Sequence, residues 1–189
     1  MKNKRSAPFI VICEDAQHAA FARRFLRFSG IRNHHDLRIE YCEPGKQDAK
    51  QWIRDELPGE LQGFRRYNAK NRSAERVLFV MADADDKTVE QRITYITSKC
   101  NPKPNTSENV CFIIPRWAVE TWIKYFRGES ADESKKILSK HKLRAPGDCW
   151  PEVKQLKKIC DSGSLSKDAP DSLHKACSEF QRIRPALKR

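Results

Sequence analysis

Four short runs, mostly apolar, alternate with helical segments in the first part of the chain, and this alternation most limits the folds open to it. The runs are PFIVIC at 8–13, LRIEY at 37–41, VLFVM at 77–81 and VCFIIP at 110–115. Three of them are typical of buried strands, and LRIEY alternates as a half-buried strand does. Strands that alternate with helices form parallel sheets, so the sequence predicts a three-layer α/β domain with a mostly parallel, four-stranded sheet.

Helical spacing of apolar residues fills the intervals between these runs. It predicts helices over AQHAAFARRFLRF (16–28), over QDAKQWIRDEL as far as Pro58, from Thr88 to about Ser98, and over RWAVETWIKYFR before Gly128. Each interval therefore carries a helix that can pack on the sheet.

Two regions depart from this alternation. Residues 59–75 have weak periodicity and several basic side chains, so we predict a loop or a frayed helix that could touch phosphate there. From about residue 130 onward, the segments ESADESKKILSKHKL, CWPEVKQLKKIC and PDSLHKACSEFQRI each have helical apolar spacing. The sequence thus predicts an α/β domain over residues 1–128 and a helical C-terminal section over 129–189 that packs on it.

The charge balance favours a polyanionic partner. Lys and Arg total 37 against 25 acidic residues, which gives a formal net charge of +12. Such a balance is typical of proteins that bind nucleic acid, although a merely soluble basic protein is the alternative.

The composition also bears on location and on the cysteines. No run approaches the roughly 18 apolar residues that a membrane span needs, and the basic start lacks a signal-type apolar region, so we expect a cytoplasmic protein without a membrane partner. The seven cysteines are scattered without a CxxC pair, which argues against a disulfide framework and favours buried thiols. A zinc site built from Cys149, Cys160, His174 and Cys177 is the weaker alternative.

Acidic residues stand at the ends of three predicted strands. Glu14 follows the first run, Asp83 and Asp85 follow the third in VLFVMADADD, and Glu120 lies shortly after the fourth. In an open parallel sheet, ligands gather outside the carboxyl ends of the strands. Carboxylates this close repel one another unless a cation offsets their charge. On an extended segment Asp83 and Asp85 point to the same side, so we expect them to share one Mg²⁺ (or Mn²⁺) ion.

Each acid also has an ordinary structural explanation. The ADADD stretch can cap the helix that begins near Thr88. Glu14 and Asp15 can stabilise the start of the first helix, and Glu120 can form an ion pair one turn along its own helix. The joint placement at three strand ends favours the metal-binding interpretation.

The same residues resemble those of a Toprim domain. The resemblance covers about residues 7–127, and it rests on the glutamate of FIVICE, the aspartate pair of VMADAD and the glutamate of IPRWAVETW. The last segment is most similar to the small Toprim proteins of the overcoming-lysogeny (OLD) family that are associated with phage defence. Toprim domains usually follow the first glutamate with Gly, whereas Asp15 stands there in this chain.

The resemblance implies a role for each acid and for a partner. Glu14 would act as general acid or base, or as ligand of a second metal, while Asp83 and Asp85 would bind Mg²⁺. Glu120 would be the additional acid of the nuclease-like branch. The OLD family joins Toprim to an ATPase, and this chain has no GxxxxGK loop, so the resemblance also implies a separate ATPase subunit.

Together these features predict a Mg²⁺-dependent endonuclease that hydrolyses DNA or RNA. Lys87, Arg116 and Lys124 each lie within four residues of an acid of this set, and we predict that they contact the phosphate backbone. The alternative is a non-catalytic module that binds nucleic acid or a partner ATPase. A third hypothesis is a nucleotidyl-transfer or primase-like role within the same fold.

Overall fold

The computed structural model describes residues 7–33, 35–45, 47–71, 75–129, 131–134 and 150–187 of the 189-residue chain. Its helices and strands follow one another in the predicted order. They are β1 (Phe9–Cys13), α1 (Ala16–Phe28), β2 (Leu37–Tyr41), α2 (Ala49–Lys70), β3 (Val77–Met81), α3 (Val89–Ile96), β4 (Val110–Ile113), α4 (Val119–Phe126), α5 (Trp150–Ser162) and α6 (Asp171–Leu187). None of the helices in the described ranges is long and apolar enough to cross a membrane.

The four strands form one parallel sheet in the order β2-β1-β3-β4. The predicted α/β fold is therefore confirmed, and the sheet is parallel throughout. Cys13 at the end of β1 pairs with Tyr41 of β2 and with Met81 of β3, so these strands end level with one another. From β1 the chain continues to β2, its neighbour in one direction along the sheet, and from β3 it continues to β4, its neighbour in the opposite direction. The carboxyl ends of β1 and β3 therefore flank a topological switch point, where α/β sheets bind ligands.

Alternate residues of the central strands point into two separate cores. Val11 and Phe79 face the side that is covered by α1, α4, α5 and α6. Ile12 and Val80 face the other side, which is covered by α2 and α3. Burial on both faces explains why β1 and β3 read as continuous apolar runs.

Side-chain caps mark the starts of α1 and α3. The carboxylate of Asp15 accepts a hydrogen bond from the backbone N–H of His18, and Thr88 forms a capping box with Gln91. Caps of this kind contribute about 1 kcal/mol each. Because Thr88 caps α3, the aspartates that precede it are left for other contacts.

α2 is longer than the sequence predicted. It runs without interruption from Ala49 to Lys70, whereas the prediction ended the helix at Pro58 and placed a loop or frayed helix over 59–75. Large apolar side chains recur every three or four positions along its buried face. They are Ile53, Leu57, Leu61 and Phe64. Burial of each is worth about 1.5–3 kcal/mol, which together outweighs the cost of roughly 3 kcal/mol for a proline inside a helix.

The C-terminal helices complete the core on the α1 side of the sheet. α5 packs against α1 and α4, and α6 packs along β4. The carboxylate of Glu179 in α6 accepts a hydrogen bond from the backbone N–H of Phe112 at 3.3 Å, so the helix covers the outer edge of β4. A covered edge cannot pair with a strand of another chain.

The helical prediction is confirmed where the C-terminal section is described. α5 and α6 correspond to the predicted segments CWPEVKQLKKIC and PDSLHKACSEFQRI. The segment ESADESKKILSKHKL lies mostly outside the described residues. The division of the chain at residues 128 and 129 stays a prediction.

The structure corrects the expectation of buried thiols for one pair of cysteines. Cys160 in α5 and Cys177 in α6 form a disulfide. As disulfide sulfurs they are not the thiolate ligands that the suggested zinc site requires. Cys149, a third member of that set, lies outside the described residues. The interpretation as buried thiols is confirmed for Cys13, Cys42, Cys100 and Cys111. The spacing of two cysteines on different helices does not show that they pair, because their distance depends on how the helices pack.

We expect loss of the disulfide to lower the free energy of unfolding by about 3 kcal/mol, because the bond closes a 17-residue loop in the unfolded chain. Urea unfolding of the double variant Cys160→Ala/Cys177→Ala measures this change. Dithiothreitol should lower the urea midpoint of the wild type and leave the urea midpoint of the variant unchanged. Equal midpoints for the wild type with and without reductant would contradict the pairing.

Candidate functional site

Glu14 and Asp83 meet where β1 and β3 end. The backbone N–H of Glu14 donates to the carbonyl oxygen of Met81 at 3.1 Å, which extends the pairing of the two strands by one residue. The backbone N–H of Asp83 donates to Glu14 Oε2 at 3.0 Å. The side chain of Glu14 therefore lies across the end of β3. Two of the predicted site residues thus touch at the switch point of the sheet.

A lysine that the sequence did not point to lies between the two strand ends. Lys50, in the first turn of α2, has its Nζ 2.5 Å from Glu14 Oε1 and 2.9 Å from Asp85 Oδ2. Burial lowers the pKa of Lys50, but hydrogen bonds and charge from the two carboxylates outweigh it and raise the pKa above its ordinary value. Glu14 and Asp85 therefore already bind one cation, an ammonium group of the protein itself.

Asp83 and Asp85 point to different sides of the sheet, contrary to the prediction. That prediction assumed an extended backbone, whereas β3 ends at Met81 and Asp85 adopts the left-handed conformation with φ +55°. Aspartate tolerates this conformation better than most residues do. The turn directs Asp85 towards α2 and α3, while Asp83 bonds to His18 in α1 on the opposite face. Asp83 therefore pairs with His18, whereas Asp85 pairs with Lys50 and Arg92.

Arg92 holds the turn that carries Asp85. Its guanidinium donates to the carbonyl oxygen of Ala84 at 2.9 Å and approaches Asp85 Oδ2 at 3.4 Å. Arg92 is buried on the face of α3 that also carries Val89 and Ile96. A buried guanidinium needs such partners, because burying an unpaired charge is costly.

His18 links two carboxylates on the α1 side of the site. Its Nδ1 lies 2.9 Å from Asp15 Oδ1, and its Nε2 lies 3.0 Å from Asp83 Oδ1. While both carboxylates are ionised they only accept hydrogen bonds, so both ring nitrogens then donate and the imidazole carries a positive charge. Burial lowers the pKa of His18, but Asp83 and Asp15 outweigh it and hold the pKa well above its usual value.

The pKa values of the two carboxylates that contact His18 shift in opposite directions. Burial alone would raise the pKa of Asp15, yet hydrogen bonds and charge from His18 lower it to about 2. The more enclosed Asp83 has its pKa raised by burial, although the charge of His18 opposes the shift. The chain Asp15–His18–Asp83 thus fixes the orientation of Asp83 at the edge of the sheet.

Glu120 belongs to the same side of the site as Asp83. It lies in the first turn of α4 and is half-buried. Burial raises the pKa of Glu120, and the negative charges of Asp83 and Asp15 raise it further, while the charge of His18 opposes them. A carboxyl group with a raised pKa keeps its proton to a higher pH than an ordinary surface glutamate does.

Two of the three predicted phosphate-binding residues lie together. Lys87 is exposed beside Asp86, and the guanidinium of Arg116 donates to the carbonyl oxygen of Lys87 and stacks over Trp117. Lys124 lies in the last turn of α4. The pair of Lys87 and Arg116 therefore borders the turn that carries the aspartates.

Sequence reasoning missed three residues that neutralise the acids, and two of them left a signal. His18 and Arg92 stand at positions of α1 and α3 whose helical spacing is otherwise apolar. A charged or titratable residue in an apolar row indicates a buried partner. Lys50 left no such signal, since it stands 36 residues from Glu14 in an ordinary helix start.

The donor set fits a metal ion that is held by two carboxylates. Among the described residues, no group of three or more His, Cys, Asp or Glu is arranged to hold a metal ion. Mg²⁺ in phosphate chemistry needs fewer, because it commonly uses one or two carboxylates and keeps several waters. Glu14 and Asp85 each supply one carboxylate, and Lys50 Nζ lies 2.5 Å from an oxygen of the first and 2.9 Å from an oxygen of the second. The described residues form no cage of three carboxylates.

In comparisons with known proteins, no family model matches the chain, and no curated protein or solved structure matches it either. The Toprim and OLD resemblance therefore rests on the sequence segments that carry it.

We expect His18→Gln to destabilise the protein by roughly 3 kcal/mol near pH 6, because it leaves two carboxylates without their shared cation. The folded-state pKa of His18 is raised, so its contribution is complete below its ordinary value of 6.5 and is lost as the pH rises through the raised value. The difference in unfolding free energy between the wild type and the variant should therefore narrow as the pH rises above 6.5 towards the raised pKa.

Urea unfolding at several pH values measures this difference. His174→Gln makes the same substitution on α6, and we expect it to destabilise the protein much less than His18→Gln does. A destabilisation by His18→Gln that grows with rising pH would mean that His18 is buried as the neutral imidazole.

Proposed function

We propose that this protein is a Mg²⁺- or Mn²⁺-dependent endonuclease that hydrolyses phosphodiester bonds of DNA or RNA. Its acidic centre consists of Glu14, Asp83, Asp85 and Glu120. The observation that carries the proposal is the convergence of Glu14 and Asp85 on one cationic nitrogen at the switch point of a parallel sheet. Two carboxylates that meet around one positive charge at a ligand-binding edge suit a divalent cation.

The two sides of the acidic centre suit different tasks. Glu14 and Asp85 would hold the metal ion, which when bound supplies charge stabilisation for the phosphodiester and a more acidic water. Asp83 is oriented by His18 and would orient the attacking water or complete the metal shell. Glu120, whose pKa is raised by burial and by Asp83, would hold a proton for the leaving oxygen, which is the usual part of a general acid.

The charge of the chain supports nucleic acid as the substrate. The formal net charge is +12, and Lys87 and Arg116 border the acidic centre. Basic residues next to a metal-binding centre would hold the phosphate backbone that the acids repel. Lys124 would add a further contact on the same substrate.

The resemblance to the OLD family supports a partner and a process. A separate ATPase subunit would bind and hydrolyse ATP, and the protein would act in phage defence. Both proposals depend on the segments FIVICE, VMADAD and IPRWAVETW.

A non-catalytic module that binds nucleic acid or a partner ATPase is the second candidate, and one observation favours it. Three acids of the centre already have cationic partners within the protein. Lys50 pairs with Glu14 and Asp85, Arg92 approaches Asp85, and His18 bonds to Asp83. Acids that are neutralised in this way can serve structure alone.

We expect the purified protein to cleave nucleic acid with Mg²⁺ or Mn²⁺ and to be inactive in EDTA. Glu14→Gln, Asp83→Asn and Asp85→Asn should each lower the cleavage rate by about 100-fold or more, because each removes a negative charge from the acidic centre. Asparagine suits the left-handed backbone at position 85 as well as aspartate does. Assays on single- and double-stranded DNA and RNA measure the rates and identify the substrate.

Asp36→Asn is the matched control, because it removes an equal charge from a residue just before β2. Asp36 lies at the amino ends of the strands, whereas the acidic centre lies at their carboxyl ends. Its rate should equal that of the wild type. Nucleic-acid binding that weakens steeply with salt and survives in all four variants, without any cleavage, would favour the binding module.

A further inference from the structure

We infer that Lys50 is an internal competitor for the cation position of the acidic centre. Its ammonium group occupies the place between Glu14 and Asp85, so a divalent cation binds there only when the side chain of Lys50 withdraws. Lys50 thereby determines the metal affinity of the site. The inference rests on the proposed function, since it takes that position as the one that holds the metal.

The geometry leaves no room for both cations. The ammonium nitrogen lies 2.5 Å from Glu14 Oε1 and 2.9 Å from Asp85 Oδ2. Mg²⁺ binds carboxylate oxygens at about 2.0–2.1 Å, so an ion on the same two oxygens would lie next to the ammonium. Two positive charges at such a distance repel strongly in a partly buried site. Binding of the metal and the contact of Lys50 with both acids are therefore mutually exclusive.

The position of Lys50 is unfavourable for an ordinary helix residue. It is the second residue of α2, which begins at Ala49 after the N-cap Asp48. The N-terminal end of a helix carries partial positive charge, so a lysine there is disfavoured. The two carboxylates offset that repulsion. The contacts with Glu14 and Asp85 therefore explain a lysine at this position, whereas helix propensity does not.

The side chain of Lys50 can leave without disturbing the fold. Its side chain is 17% exposed, and lysine has a flexible four-carbon stem. The backbone of the first turn is held by Asp48, whose side chain accepts a hydrogen bond from the backbone N–H of Gln51. Rotation of the stem would free both carboxylates while the helix start stays in place.

The test is the affinity of the whole protein for Mn²⁺, measured by electron paramagnetic resonance of the free ion at constant ionic strength. We expect Lys50→Gln to bind Mn²⁺ about tenfold more tightly than the wild type, because the ion no longer has to displace a positive charge from the two carboxylates. Lys50→Arg keeps the charge and should stay close to the wild type. Asp85→Asn in the Lys50→Gln background should abolish the gain.

Lys99→Gln is the matched control. Lys99 is 54% exposed and pairs with Asp55 at 2.8 Å, so this variant also removes a lysine from an ion pair and lowers the net charge by one. It should leave the Mn²⁺ affinity unchanged. A gain of equal size in Lys99→Gln would assign the effect to net charge and would overturn the inference.

The remaining outcomes separate this inference from the proposed function. Equal Mn²⁺ affinity of the wild type and Lys50→Gln, or weaker binding by the variant, overturns the competitor role and leaves a metal-dependent enzyme in place. Absence of Mn²⁺ binding by every variant overturns both. If Lys50→Gln unfolds without metal, recovery of its circular dichroism on addition of Mn²⁺ supports the inference, and failure to recover overturns it.

Discussion

Neutralisation of like charges at the carboxyl ends of β1 and β3 is the constraint on which the rest of the site depends. Glu14, Asp83 and Asp85 come from two adjacent strand ends, and their repulsion would be costly without nearby cations. Three different helices supply those cations. They are His18 from α1, Lys50 from α2 and Arg92 from α3. The acids therefore tie together the helices on both faces of the sheet.

This neutralisation divides the site into two halves that lie on opposite faces. On the α1 side, His18 holds Asp83, and Glu120 has a raised pKa beside it. On the α2 and α3 side, Glu14 and Asp85 converge on a positive charge. In the proposed function, the first half would orient and hold protons, and the second would bind the metal ion. The left-handed backbone of Asp85 permits this arrangement, because it turns that carboxylate away from Asp83.

The C-terminal helices affect the site although they contribute none of its acids. Trp122 of α4 donates from Nε1 to Ser172 Oγ of α6 at 2.9 Å, and Trp122 lies two residues after Glu120. α4 is thereby held against α6 in the core on the α1 side of the sheet. The disulfide between α5 and α6 joins the two helices that support this arrangement. The position of Glu120 thus depends on residues far along the chain.

The sequence by itself determined the order of the elements, the parallel sheet and the edge at which Glu14, Asp83 and Asp85 gather. Periodicity and strand ends are local properties, so a single sequence reveals them. Only the tertiary structure decided the full length of α2, the disulfide and the cation that each acid receives. Lys50 reaches Glu14 across 36 residues and His18 reaches Asp83 across 65. Such contacts form when separate elements pack, and no spacing within one element encodes them.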